Sequence, residues 1–231
     1  MLTDPCRQTH ADDLMLLKPP MQPTAPRVIT DRSLQFQGSP VAQFILRRLG
    51  WTIRFSGLPG AQGVIVVYPH TSNIDFILGI LAKWSFGFQA NFWGKDTLFR
   101  IPVLGAWMRW LGGVPVNRSA PGGLVEQAAQ HLRDCRSQGR YTWLVVAPEG
   151  TRKLTAGWRS GFYRVAVRAD VPVGVAAIDY GRREIRLDHF LHLSGDQSAD
   201  MSAIEQALLQ PRGYRHDQAS PVRLIQDPQR H

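Results

Sequence analysis

Val64-Ile65-Val66-Val67-Tyr68-Pro69 runs directly into His70-Thr71-Ser72-Asn73-Ile74-Asp75. A run that is apolar at every position, rather than at alternate ones, predicts a strand buried on both faces, as in the sheet of an α/β protein. Phe76-Ile77-Leu78-Gly79-Ile80-Leu81 then predicts a helix, and Ser72 and Asp75 have the spacing of a capping box at its start. The strand therefore ends where a histidine and a carboxylate come together. With an ordinary pKa near ~6.5 a histidine can accept a proton at neutral pH, while a neighbouring carboxylate fixes its tautomer and stabilises the imidazolium. Capping accounts for Ser72 and Asp75 but leaves His70 unexplained.

Outward from this segment, short apolar runs alternate with helical stretches. Strands are predicted near 64–68, 90–93, 113–117, 142–147, 171–178 and 184–187, with helices near 75–85, 97–111, 121–136, 158–168 and 200–209. That order predicts an α/β fold: a single layered domain with a mostly buried mixed sheet flanked by helices, over residues 39–228. Residues 1–38, with Pro19, Pro20, Pro23 and Pro26 and no sustained period, are expected to form a mostly unstructured extension. Val41, Phe44, Ile45 and Leu49 have amphipathic helical spacing, which suits either a core-facing helix or a membrane-facing one. From Pro211 the chain is polar and expected at the surface, with Val222-Arg223-Leu224-Ile225 a candidate edge strand.

A length of 231 residues with 44% hydrophobic content suffices for one sizeable core. The net charge of +9 calls for a partner bearing negative charge: nucleic acid, an anionic membrane surface or a phosphorylated substrate. Cys6 and Cys135 are far apart, so neither a disulfide framework nor a zinc site is indicated and a reducing cytoplasm is expected. Asp4, Asp12 and Asp13 interrupt any signal-like N-terminal pattern, and no uncharged apolar run approaches the ~20 residues that span a bilayer. Membrane contact is therefore expected to be peripheral.

Pro148-Glu149-Gly150-Thr151-Arg152 also follows a buried-type strand, Trp143-Leu144-Val145-Val146-Ala147. Sites in α/β sheets form in the loops beyond the carboxyl ends of strands, so His70, Asp75, Glu149 and Arg152 are candidates for one shared face. A glycine turn followed by a threonine cap would explain the second segment without chemistry. Other motifs fail on spacing. Gly94-Lys95 lacks the earlier glycine of a phosphate-binding loop, where Gln89 stands, and is followed by Asp96. In Gly157-Trp158-Arg159-Ser160-Gly161 the serine is one place late for a nucleophile elbow, and Ser160 reads as a helix start. His189 and His192, in a strand-to-loop segment, are expected on opposite faces, and no metal site is expected.

In four blocks, in order, the sequence resembles the glycerolipid acyltransferase family. His70 and Asp75 match its His-x-x-x-x-Asp block. Gly94 to Arg100 and Gly112 to Arg118 resemble its second, Glu149 to Arg152 its third, and Val171-Pro172-Val173 its fourth. The resemblance covers about residues 40–190. It implies a fatty acyl transferase acting on a lysophospholipid-type hydroxyl, with lysophosphatidate the expected acceptor. His70 is implied as general base and Asp75 as its orienting partner. Lys95, Arg118 and Arg152 are implied to hold the acceptor's phosphate, with Glu149, Gly150 and Thr151 completing the substrate-binding block. No metal or organic cofactor is implied; the donor is acyl-carrier protein or coenzyme A carrying the acyl thioester. Asn117, where many members have Asp, and Val175, where they have a second proline, leave acceptor identity open.

Trp84, Phe86, Phe88, Phe92, Trp93, Phe99, Trp107 and Trp110 are interleaved with Lys83, Lys95, Arg100 and Arg109. This mixture fits a bilayer interface, but helical spacing favours the core for most of these rings. The expected setting is the cytoplasmic face of the cell membrane, with an anionic lipid surface as partner and no nucleic acid. A non-catalytic basic protein that binds lipid or nucleic acid is the alternative, and it leaves the His70–Asp75 pair without a purpose.

Overall fold

The computed structural model describes residues 25–116 and 123–225; of residues 93–96 and 115–116 only the backbone is described. In chain order the elements are β1 (Arg27–Ile29), α1 (Pro40–Arg48), β2 (Thr52–Phe55), β3 (Gln62–Tyr68), α2 (Ile74–Phe86), β4 (Asn91–Lys95), α3 (Asp96–Phe99), α4 (Pro102–Trp110), β5 (Gly113–Val116), α5 (Leu124–Ser137), β6 (Thr142–Val146), α6 (Gly161–Ala169), β7 (Val173–Asp179), β8 (Glu184–His192) and α7 (Gln197–Leu208). The strands form an 8-stranded sheet in the order β1-β8-β7-β3-β6-β4-β5, with β2 also paired to β8. Strands β7, β3, β6, β4 and β5 run parallel, so their carboxyl ends share one edge. β8 is antiparallel to β7 and carries β2 on its first half and β1 on its second.

Period two along β3 explains why its apolar run is unbroken. Val64, Val66 and Tyr68 join a core built on α5, α6 and α7, where Leu132, Phe162, Val165 and Ile204 are buried. Ile65 joins a second core on the other face, with Leu46 of α1, Leu78, Ala82 and Phe86 of α2, Trp143 and Phe190. Each face of the sheet is thus covered by helices, which is the layered α/β architecture expected.

The differences have local causes. The helix expected over 97–111 is two, because Pro102 opens α4 and forces Ile101 into an extended conformation (φ −76°, ψ 117°). Of the expected extension, residues 1–24 lie outside the described residues, whereas Arg27–Ile29 forms an edge strand on β8. The ring of Phe36 packs near Phe55, Phe88 and Tyr141. Three-residue pairing onto an existing strand leaves no periodic signature, so β1 could not be read from pattern alone. β2 was missed because four residues between a helix and a turn read as either. At 222–225 the edge strand reduces to one bridge, Trp158 to Leu224. β8 extends through His192, further than expected.

Candidate active site

The shared carboxyl edge places the loops after β3, β6 and β7 side by side, which brings His70, Glu149 and Tyr180 together from three parts of the chain. Asp75, in the first turn of α2, is only 2% exposed. Its Oδ2 accepts hydrogen bonds from the backbone N–H groups of Thr71 and Ser72, both at 2.7 Å, and its Oδ1 accepts one from the hydroxyl of Tyr180 at 2.7 Å. His70 Nδ1 lies 3.6 Å from Oδ2, in ion-pair range. Asp75 therefore closes the helix start and faces the imidazole with the same carboxylate. Half of the expected capping box is realised: Asp75 reaches back to Ser72, while the Ser72 hydroxyl accepts from Ile74 N–H at 3.1 Å.

With Nδ1 turned to Asp75, Nε2 has no hydrogen-bond partner among the described residues and is the atom available to substrate. Burial holds the His70 pKa below its ordinary value; Asp75 opposes that shift and the positive charge of Arg152 adds to it. A lowered pKa keeps the imidazole neutral, the form that can accept a proton.

Glu149 fixes the backbone beneath. It is 1% exposed, and Oε2 accepts from the N–H of His70 at 2.6 Å while Oε1 accepts from the N–H of Ser220 at 2.8 Å. Burial pushes its carboxyl above the usual range, with the two backbone donors pulling the other way and Asp75 repelling it. Both oxygens of Glu149, one of the expected substrate-binding residues, accept hydrogen bonds from the chain's own backbone. Gly150 sits at φ 68°, in the left-handed region that favours glycine, and a Cβ there would lie 2.7 Å from Nε of the Arg159 side chain. Thr151 Oγ1 accepts from Lys153 N–H at 3.4 Å, and Arg152 is exposed beside the site. Lys95 ends β4 on the same edge, with its side chain outside the description, and Arg118 lies outside the described residues.

A cavity of ≈ 210 Å³ lies at the pair, lined by His70 and Asp75 together with Phe76, Gly79, Phe86 and Leu187. Its walls are overwhelmingly apolar, which suits a hydrocarbon chain. The stem of Lys83 also lines it, and the ammonium donates to Leu111 O at 2.6 Å, with burial lowering its pKa.

The C-terminal segment closes over the same loops. Arg215 N–H donates to Thr71 Oγ1 at 3.2 Å, Tyr68 OH donates to Ser220 O at 3.0 Å, and the Tyr214 and Tyr180 rings meet edge to face at 5.3 Å. Tyr180 and Ser220 were missed from sequence. Tyr180 follows a buried strand directly, the signal that flagged His70 and Glu149; nothing local marks Ser220. His189 and His192 do not converge: the first pairs with Asp188 at 2.7 Å and the second with Asp170 at 3.0 Å. Ser160 occupies the N-cap position of α6.

The sequence matches the acyltransferase family over residues 52–178, a span that contains His70, Asp75 and the Glu149–Arg152 turn. Among solved structures, the 1-acyl-sn-glycerophosphate (LPA) acyltransferase PlsC from Thermotoga maritima is similar at 23% identity, over 72% of this chain and 73% of that one, with a TM-score of 0.47. No curated protein matches the chain. The family match takes in more than half of the chain, and the chain belongs to the acyltransferase family.

Proposed function

We propose that this acyltransferase moves a fatty acyl group from the thioester of acyl-carrier protein or coenzyme A to the hydroxyl of lysophosphatidate, at the cytoplasmic face of an anionic membrane. The observation that carries this reading is that His70 and Asp75 line an otherwise largely apolar cavity, with His70 Nδ1 facing Asp75 at 3.6 Å. In the reaction Nε2 takes the proton of the acceptor hydroxyl as its oxygen forms a bond to the thioester carbonyl. The tetrahedral intermediate then expels the thiolate, which recovers the proton from the imidazolium, so no acyl-enzyme forms. Asp75, facing Nδ1 at 3.6 Å, offsets the charge of the imidazolium, and the Tyr180 hydroxyl holds Asp75.

Arg152 supplies a positive charge next to the base, suited to paired charge-assisted bonds to a phosphate, with Lys95 and Arg118 as its proposed partners. Holding the acceptor by its phosphate makes the attack effectively intramolecular. The decisive assay offers the purified chain an acyl thioester with lysophosphatidate, glycerol 3-phosphate or monoacylglycerol. Lysophosphatidate should be used best, and Arg152→Ala should raise KM for the phosphate-bearing acceptors by about tenfold to a hundredfold with little change for monoacylglycerol. Equal KM for charged and neutral acceptors in parent and variant would remove the phosphate assignment.

Gly79 offers a test of the acyl site. On α2 it lines the cavity, and an added Cβ would meet nothing within 4 Å, although a mid-helix glycine costs about 0.5–1 kcal/mol relative to alanine. Gly79→Phe should project its ring into that space and turn acyl preference towards short chains by about tenfold, read as the ratio of kcat/KM for long and short thioesters. An unchanged ratio would mean that the chain lies elsewhere. Gly79→Ala should simply stabilise the helix.

A further inference from the structure

Three neighbouring helices turn apolar stripes towards solvent. On α1 and its cap, Val41, Phe44, Ile45 and Leu49 are 67%, 57%, 38% and 53% exposed, while Ala42 and Leu46 alone face inward. On α2, Ile74, Ile77 and Trp84 lie on one exposed face, and on α4, Val103, Trp107 and Trp110 recur at helical spacing, with Val103 84% and Trp110 72% exposed. The helices are contiguous. Ser39 N–H, at the start of α1, donates to Trp84 O at 2.8 Å, and Gln43 reaches Ser85 O at 3.1 Å. The Trp84 and Trp110 rings lie 6.1 Å apart and those of Phe76 and Trp107 6.2 Å. Single exposed apolar residues are ordinary, but a continuous patch of this composition on a soluble surface marks a partner.

We propose that α1, α2 and α4 form the face by which this chain lies in the plane of an anionic lipid bilayer, delivering lipid to the cavity behind α2. The inference rests on the acyl-transfer reading for its purpose but not for its evidence. Tryptophan is the ring that settles at headgroup level, and the exposed Arg47, Arg48 and Arg109 border the apolar stripes with charge that an anionic surface attracts. The chain's net charge of +9 opposes pairing with a second copy and favours the same anionic partner. α2 is the shared wall: Phe76, Gly79 and Lys83 line the cavity on one side, and Ile77 and Trp84 are exposed on the other. A lipid leaving the bilayer at this face therefore needs to pass only around one helix to reach His70.

The test uses the full chain with vesicles of phosphatidylcholine alone or with phosphatidylglycerol, scored by co-sedimentation and by quenching of tryptophan fluorescence with brominated acyl chains. The parent should sediment with the anionic vesicles, be quenched, and release about tenfold or more on raising salt. Phe44→Glu and the double variant Val103→Glu/Trp110→Glu should each lose about tenfold or more of the bound fraction with thermal unfolding unchanged. No binding by the parent at low salt, equal binding by parent and variants, or binding without quenching would overturn the proposal. So would self-association of the parent in sedimentation velocity, or capture of acyl-carrier protein, that the same substitutions abolish while vesicle binding persists. Because none of these readings requires turnover, a parent that binds vesicles yet transfers no acyl group would leave the face standing and remove the reaction.

Discussion

Replacing His70 with alanine is expected to lower turnover by about 10²- to 10⁴-fold, the range that a positioned general base contributes, with no comparable change in unfolding temperature. The fold should survive because Glu149 binds the backbone N–H of His70, which alanine retains, and the imidazole itself makes only the 3.6 Å approach to Asp75. The parent's pH profile should carry the same signature. Burial lowers the His70 pKa, so the acid limb of kcat/KM should fall below pH 6.5, the base staying neutral further into acid than a free histidine would. Two neighbours should move that limb in opposite directions. Asp75→Asn removes the charge that raises the His70 pKa and should carry the limb further into acid. Tyr180→Phe removes the hydroxyl that shares Asp75, leaves the carboxylate fuller charge towards the imidazole, and should move the limb up towards 6.5. A loosened loop would not produce shifts of opposite sign. Unchanged turnover in His70→Ala would exclude the base, and identical limbs in parent and Tyr180→Phe would exclude the positioning role of Tyr180.

The parts of this architecture that sequence made legible are those that repeat a period or mark an end. β3, β6 and β7 were readable because a strand covered on both faces must be apolar at every position, and their ends were readable because polar residues follow at once. That rule placed His70 and Glu149 on one edge before any topology was known. It did not reach Tyr180 because a tyrosine after an apolar strand reads as one more core ring. Nor could sequence decide which way the stripe of α1 points: Val41, Phe44, Ile45 and Leu49 give the same pattern facing inward or outward, and in the structure they are exposed. The aromatic stretch divides in the same manner. Phe86 and Met108 are buried while Trp84, Trp107 and Trp110 are exposed, because α2 and α4 each have one face on the domain and one off it. Ser220 was beyond reach, since a hydrogen bond to Glu149 across 71 residues has no local trace.

Glu149→Ala is expected to be the most destabilising single change at this site, lowering stability by about 2–4 kcal/mol, because it strips the acceptor from two backbone N–H groups, that of Ser220 buried and that of His70 partly so. A bond to a charged acceptor contributes about 1.5–3 kcal/mol and an orphaned buried donor costs about 1–3 kcal/mol, while removal of a buried carboxylate returns part of its desolvation penalty. Glu149→Gln should fall between parent and alanine: the amide keeps one oxygen for one donor but turns its NH₂ towards the other. The pH dependence has a definite sign. Since burial raises the Glu149 pKa in the folded state, the folded chain holds more protons than the unfolded one between the ordinary carboxyl value near 4.5 and that higher value. The residue's contribution is therefore complete below about pH 4.5 and declines as pH rises through the folded value, so the difference between parent and Glu149→Ala in urea unfolding should be larger in mild acid than at neutral pH. Turnover should fall along with stability, because the carboxylate that ties Ser220 to His70 is what sets the imidazole against the cavity. A Glu149→Ala protein with parental stability would mean that the two N–H groups find other acceptors, and the tie between the loops would have to be sought elsewhere.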